Sequence, residues 1–300
     1  MAEKPTIAVL GLGAMGLPMA TRLAEKYDVR GFDINPDRLA LGEDGGVTPA
    51  ASAREAATGA DAVLLAVRNQ EQLENALYGD DGVAAVLEPG STVILTSTVG
   101  IDAVKTVADK LAEEQLHLVD APISGGPVRA GTGDLLVTVG ASDAAYETVL
   151  GPLEQLASSL VRVGDEPGDG QAMKTVNQLL AGVHIAVAAE ALALADALGL
   201  DPALALETLA GGAAASFMLS DRGPRILEAY DEDGAEVKSR IDIFTKDMGI
   251  VNSAARAAGL ATPIASAAEG LYLMAEAAGQ GAMDDSSVIR VIAPRRKGGQ

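Results

Sequence analysis

The chain contains no cysteine. That excludes disulfides, thiolate catalysis, and zinc or iron–sulfur sites built on cysteine. Histidine is almost as scarce: His117 and His184 are the only two and lie far apart, so a histidine-rich metal site is not expected. Basic residues are few, 22 Lys+Arg against 42 Asp+Glu, which leaves a formal net charge of −20. Phosphate backbones are gripped by clustered Lys and Arg, so no nucleic-acid partner is expected. The surplus acid points to solubility, and to tolerance of a salty cytoplasm. No export signal is read: Met1–Pro5 is short and polar, and the apolar run Ile7–Leu10 stops at Gly11. Leu179–Leu200 has the length of a membrane span, but His184, Glu190 and Asp196 interrupt it, with no basic flank or aromatic belt. The expectation is a buried interdomain helix in a cytoplasmic protein with no membrane partner.

What is present suits two domains. The 300 residues, 48% of them hydrophobic, supply a core for each. Thr6–Leu10 is a short β-branched strand that runs into Gly11-Leu12-Gly13-Ala14-Met15-Gly16, followed by the helical segment Leu17–Glu25. Strand, G-x-G-x-x-G and helix in that order form a dinucleotide fingerprint. Gly11 permits the turn, Gly13 lets the backbone approach a pyrophosphate, and Gly16 lets the helix pack on the strand. The helix N-terminus then offers free N–H groups to the phosphates. Asp33 ends a second strand, Val29–Asp33, twenty positions after Gly13. A carboxylate there accepts both ribose hydroxyls of NAD and repels a 2′-phosphate, so NAD is expected over NADP, with Arg38 nearby as a complication.

Strands and helices continue to alternate. Strands are expected at Ala62–Val67, Thr92–Thr96, Leu116–Asp120, Leu135–Val139 and Leu160–Val163. Helices are expected at Gln70–Tyr78, Gly82–Leu87 and Ile101–Glu113, with a capping box at Ser52-x-x-Glu55. Ligands of doubly wound sheets lie beyond the carboxyl ends of the strands. Asn69, Thr98 and Ser124 fall at such ends, whereas His117 lies within a strand and reads as structural. Ser124-Gly125-Gly126 offers a hydroxyl and consecutive open N–H groups, a nest suited to a carboxylate. The first domain is expected to span 1–164.

The second domain, 165–300, opens with a long proline-free helix over 168–199, ended by Gly199 at a C-cap position. Lys174, Asn177, Gln178 and Ala181 share one face of its first turns. Beyond Asp201 only helices are expected, at Pro202–Leu209, Ala214–Leu219, Arg225–Tyr230, Ile243–Ala258, Pro263–Ala278 and Ser286–Val291. Arg295–Gln300 reads as a frayed tail. The fold class is therefore α/β: an N-terminal Rossmann doubly wound sheet, a long interdomain helix and an all-α C-terminal domain.

Four ordered segments, GLGAMGLPM, DAPISGG, GQAMKTVNQ and TKDMG, together resemble the β-hydroxyacid dehydrogenases, a family that includes 3-hydroxyisobutyrate dehydrogenase and tartronate semialdehyde reductase. The resemblance covers nearly the whole chain. It implies that Lys174 is the catalytic lysine, that Asn177 orients the substrate with Gln178 beside it, and that Ser124, Gly125 and Gly126 grip its carboxylate. It also implies that Lys246 of the helical domain meets substrate and cofactor, with Asp247 as its neighbour, and that Thr98 and the turn Val67–Asn69 contact the cofactor. The long helix is implied to pack in a homodimer or homotetramer. GDEPGDGQAMKTVNQLLAGVHIAVAAEA, IDIFTKDMG and MDDSSVIRV resemble the L-threonate dehydrogenase branch in particular. Two departures stand out. Asn177 is the residue general to the family where a threonate enzyme carries His, and Arg68 replaces a proline that many relatives have.

Oxidising a secondary alcohol with NAD needs a base for the hydroxyl proton as hydride leaves carbon. No cysteine is available and neither histidine falls in a motif. Lys174 sits at a helix start, where partial burial and the positive helix end both favour its neutral amine. The expected reaction is thus hydride transfer between NAD and the alcohol of a small hydroxy acid. Two other readings stay open: an imine reductase, though those usually replace the lysine with Asp or Tyr, and a cofactor-binding module without catalysis.

Overall fold

Successive residues of the central strands serve opposite faces of one sheet. In β1 (Thr6–Leu10), Ile7 and Val9 enter one buried cluster while Ala8 and Leu10 enter another. The same alternation holds in β4 (Ala62–Leu65), where Leu64 faces one way and Val63 and Leu65 the other, and in β5 (Thr92–Leu95) around Ile94. Strands buried on both faces need helices on both faces, which is the doubly wound arrangement. With β2 (Asp28–Phe32), β3 (Thr48–Pro49) and β6 (His117–Asp120), the parallel order is β3-β2-β1-β4-β5-β6. Beyond β6 the sheet turns mixed. β8 (Leu135–Gly140) pairs antiparallel with β6 and with the two-residue β7 (Ile123–Ser124), and parallel with β9 (Ala157–Gly164).

This computed structural model describes residues 4–294, and the chain divides into two compact units, 1–174 and 175–300. The tail expected at Arg295–Gln300 lies outside the described residues. In the first unit, α1 (Gly16–Ala24) and α7 (Asp143–Leu156) cover one sheet face through Met19, Leu23, Val149 and Leu153. α3 (Ala53–Ala57), α4 (Gln70–Tyr78) and α5 (Ile101–Glu113) cover the other through Ala56, Leu73, Leu77, Val104 and Leu111. Two further helices, α2 (Pro36–Asp44) and α6 (Gly126–Thr132), belong to the same unit. The expected capping box forms with one change of partner. Ser52 Oγ accepts from Glu55 N at 3.1 Å, but the Glu55 carboxylate accepts from Ala51 N rather than from Ser52.

α8 (Asp169–Ala197) begins in the first unit and continues into the second, bracketed by Gly168 (φ +107°) and Gly199 (φ +78°). Its length and apolar composition suit a membrane span, and half of its most apolar window is buried inside the structure. In the second unit Ala181, Ile185, Ala189 and Leu192 of α8 form a core with Phe244, Met248 and Tyr272. The remaining helices are α9 (Pro202–Ala210), α10 (Phe217–Glu228), α11 (Ile241–Ala257), α12 (Pro263–Ala275) and the short α13 (Ile289–Ile292). The MDDSSVIRV segment closes this unit with buried ion pairs: Asp284 accepts from Arg225 at 3.1 Å, and Asp285 from Arg222 at 3.0 Å.

Several elements differ from expectation. Gly82–Leu87 holds only a 3-10 turn, Ala84–Val86. The helix α7 was not expected, and α10 replaces two separate helices expected at Ala214–Leu219 and Arg225–Tyr230. Both α7 and α10 contain an internal Gly-Pro, at 151–152 and 223–224, a dipeptide that reads locally as a turn. In each case the glycine permits a close approach: an added Cβ would lie 2.7 Å from Tyr27 Oη at Gly151 and 2.3 Å from Leu206 Cδ1 at Gly223. Packing of those faces outweighs the proline's local cost.

Candidate active site

The glycine loop is built by three different constraints. Gly11 has φ +92°, and an added Cβ would lie 2.4 Å from Ala66 O on the neighbouring chain segment. At Gly16 an added Cβ would lie 1.8 Å from Gly11 O, so the first turn of α1 closes directly on the loop. At Gly13 nothing lies within 4 Å of the Cβ position, which leaves the exposed backbone open to a phosphate. Between them Leu12 points into the core, fully buried, while Ala14 is exposed and Met15 half-buried at the helix entry. Asp33 lies just past β2. Its Oδ2 accepts from Leu12 N at 2.7 Å and its Oδ1 from Asn35 N at 2.8 Å. An ionised carboxylate has about four acceptor sites, so each oxygen keeps one for a ribose hydroxyl. Arg38 braces the loop from the other side, donating to Leu12 O at 2.6 Å and Gly13 O at 2.9 Å.

The next strand ends are tied to one another. After β4, Val67 N donates to Ser97 Oγ at 2.8 Å. Asn69 acts as the N-cap of α4, its Oδ1 accepting from Gln72 N at 2.9 Å. Thr98 is half-buried in the segment after β5. Ser124 is a strand residue in β7, paired with Leu136, rather than part of an open nest, and Gly126 opens α6. Gly125 and Gly126 both have positive φ (143° and 78°), and the space about Gly126 is open. Lys174 reaches this segment: its Nζ donates to Ser124 Oγ at 2.9 Å, with the lysine 8% exposed.

In the second unit the remaining candidates converge on one carboxylate. Asn177 Nδ2 donates to Gln178 Oε1 at 2.9 Å, and Gln178 Nε2 donates to Asp247 Oδ2 at 2.5 Å. Lys246 Nζ lies 3.0 Å from Asp247 Oδ1. Asp247 and Gln178 are buried and Asn177 and Lys246 are partly exposed. The carboxylate only accepts, so Gln178 must turn its NH2 toward Asp247 and its carbonyl toward Asn177.

Comparison with known proteins places the chain in a family. Residues 6–164 match the NAD binding domain of 6-phosphogluconate dehydrogenase, and residues 168–292 match the NAD-binding of NADP-dependent 3-hydroxyisobutyrate dehydrogenase. An L-threonate dehydrogenase from Cupriavidus necator is 38% identical over 95% of each chain. The chain belongs to the β-hydroxyacid dehydrogenase family. The structure of a 3-hydroxyisobutyrate dehydrogenase from Salmonella typhimurium superposes with a TM-score of 0.88 at 36% identity, over 96% of this chain and 99% of that one. A Mycobacterium tuberculosis 3-hydroxyisobutyrate dehydrogenase determined with L-serine gives 0.84 at 29% identity, over 96% and 99%. This β-hydroxyacid dehydrogenase is thus an NAD(P)-dependent hydroxyacid oxidoreductase.

Three residues at the heart of the dehydrogenase were not singled out by sequence reasoning. Asp120, at the carboxyl end of β6, and Gln171, in the first turn of α8, are both fully buried and bonded to each other. Ser97, bonded to Val67 N, is the third. Asp120 carried a signal, its place at a strand end, and Gln171 lies three positions before Lys174 and so on the same helix face. Burial pushes the Asp120 carboxyl up to about 6, against the lowering effect of its bonds to Gln171 and Gly168.

Proposed function

We propose that this dehydrogenase moves hydride between NAD and the secondary alcohol of a small sugar acid, with L-threonate as the first candidate and Lys174 as general acid/base. The observation that carries the reading is the buried Lys174 ammonium held 2.9 Å from Ser124 Oγ. An amine that can carry a proton, beside the loop proposed to hold the carboxylate, is what proton exchange with a hydroxy acid requires. Ser124, Gly125 and Gly126 hold the substrate carboxylate. Asn177 and Gln178 orient the substrate from the next turn of α8, with Lys246 closing on substrate and cofactor. Gly11, Leu12, Gly13, Ala14, Met15 and Gly16 receive the pyrophosphate, Asp33 the adenosine ribose, and Val67, Asn69 and Thr98 the nicotinamide half. The open space at Gly13 and the spare acceptor sites of Asp33 support that fit, and the carboxylate supports NAD over NADP.

When bound, NAD supplies the acceptor for hydride. The chain's own part is the proton. In oxidation the neutral Lys174 amine takes the hydroxyl proton, and in reduction its ammonium returns one to the developing alkoxide. Ser124 Oγ, already paired with Lys174 Nζ, keeps that nitrogen beside the loop that holds the carboxylate. Threonate is favoured over 3-hydroxyisobutyrate by similarity across the whole chain to L-threonate dehydrogenases, 38% in the relative from Cupriavidus necator. We assign residues 1–164 to the cofactor domain and 165–300 to the helical one. The exposed apolar residues Met173, Val176, Leu180, Val187 and Leu194 along α8 support a homodimer or homotetramer.

Lys174→Ala is expected to lower kcat with L-threonate by about 1,000-fold or more while NADH binding, read by fluorescence titration, stays within about twofold. Retained turnover would sink the acid/base role. A panel of L-threonate, 3-hydroxyisobutyrate, D-glycerate and L-serine with NAD⁺ tests the substrate. Preference for another acid there removes threonate without touching the lysine.

A further inference from the structure

We propose that Gln171 and Asp120 are a positioning pair that sets Lys174 and the segment 97–100, which carries Thr98, in a single frame; this rests on the reading of Lys174 as the proton-transfer residue and of Thr98 as a cofactor contact. The geometry is that of a saturated amide. Gln171 Oε1 accepts from Val99 N at 3.0 Å and Gly100 N at 3.1 Å, while Nε2 donates to Ser97 O at 3.0 Å and Asp120 Oδ1 at 2.8 Å. Two donors on one side and two acceptors on the other admit one orientation of the amide. Thr98 lies between residues held on both sides.

Asp120 secures the other end. Its Oδ2 accepts from Gly168 N at 2.9 Å and Gln171 N at 2.8 Å, binding two N–H groups at the start of α8. At Gly170 an added Cβ would lie 2.6 Å from Asp120 O and 2.9 Å from Thr138 O, so the helix start sits flush on the end of the sheet. Two rungs therefore join the same two segments. The buried one joins Asp120 to Gln171. The chemical one joins Ser124 to Lys174, four residues further along one segment and three along the other.

A buried carboxylate is an expensive anchor, and apolar residues of similar shape usually stabilise a fold better. The charged group that acts on Asp120 is Asp169 on α8, which repels it. What the carboxylate does uniquely is accept three N–H groups at once, which registers helix against sheet. Misplacing a reacting group by an ångström costs on the order of 100-fold in rate.

Gln171→Glu tests the pair. It replaces the NH2 by an oxygen facing Ser97 O and Asp120 Oδ1, so the rung opens while the carboxyls are ionised and closes again when one proton is shared. The expected result is a kcat ~10- to 100-fold below wild type at pH 7.5, a deficit that narrows toward pH 5.5 when the two are compared at the same pH, with KM for the hydroxy acid changed far less than kcat. Gln171→Met keeps the volume without bonds and should lose kcat at every pH. Hydrogen exchange of the cofactor-free protein gives a readout independent of turnover: at pH 7.5 segments 97–100 and 168–171 should exchange faster than in wild type in both variants, and at pH 5.5 the excess over wild type measured at that same pH should shrink for Gln171→Glu but not for Gln171→Met. A wild-type pH profile for Gln171→Glu, or unaltered exchange in both segments, overturns the proposal. If Gln171→Met does not fold, Gln171→Glu alone decides. Turnover retained by Lys174→Ala would remove the proton-transfer reading, and the exchange data would still judge whether the pair frames the two segments.

Discussion

The glycines of the loop have separable duties that single methyl groups can tell apart. Gly13→Ala places its Cβ in open space, so the midpoint of thermal unfolding should stay within about 1 °C while NADH affinity falls ~10-fold or more, because the pyrophosphate needs that approach. Gly16→Ala drives a Cβ into Gly11 O, a backbone atom with nowhere to go, and should cost roughly 1–3 kcal/mol, seen as a lower midpoint. Both roles are legible in the sequence, because G-x-G-x-x-G after a strand is a local pattern. Asp120 is different. Its carboxyl stands at about 6 in the fold against an ordinary value of 3.8, so the folded state holds its proton more tightly. The stability this group contributes is complete below about pH 4 and is lost as pH rises through 6, on the order of 3 kcal/mol. Comparing urea midpoints of wild type and Asp120→Asn between pH 4.5 and 7 checks this: the wild-type curve should fall more steeply with rising pH, and parallel curves would refute it. Nothing in the run LHLVDAP announces that burial, since the partners lie at Gly168 and Gln171.

At the scale of the element, α8 is the part most fully read from sequence and yet incompletely explained by it. Absence of proline and the closing glycine define its limits. Its interior register in the second unit depends on a distant side chain: Tyr272 of α12, fully buried, donates its hydroxyl to Gly182 O at 2.8 Å. Burial pushes that hydroxyl well above its ordinary pKa, so it remains a donor at any working pH. Tyr272→Phe should cost about 0.5–1.5 kcal/mol of stability and leave the ring stack on Phe244 intact; an unchanged midpoint would deny the bond its role. The helices α7 and α10 show the reverse lesson. Their Gly-Pro pairs are turn signals by local rules, and only the apolar faces they bury keep the helix going.

At the scale of the whole molecule, charge matters most. A formal −20 spread over a chain of this size repels itself, and the surface ion pairs that relieve it are screened and individually weak. Raising NaCl from 0.05 to 0.5 M should therefore raise the unfolding midpoint by roughly 2–4 °C, through screening of that repulsion. A midpoint that falls with salt would mean that favourable ion pairs outweigh it. By itself the sequence determined the doubly wound sheet, the glycine loop with Asp33, the long helix and the family, because each rests on residues within about twenty positions of one another or on ordered motifs. Only the tertiary structure decided that Gln171 and Asp120 tie the helix to the sheet, that Asp247 orders Gln178 and Lys246, and that Ser124 meets Lys174. Those bonds join residues some fifty to seventy positions apart. No local preference encodes them. Burial selects them, since a polar group shut away from water must find a partner wherever the fold brings one.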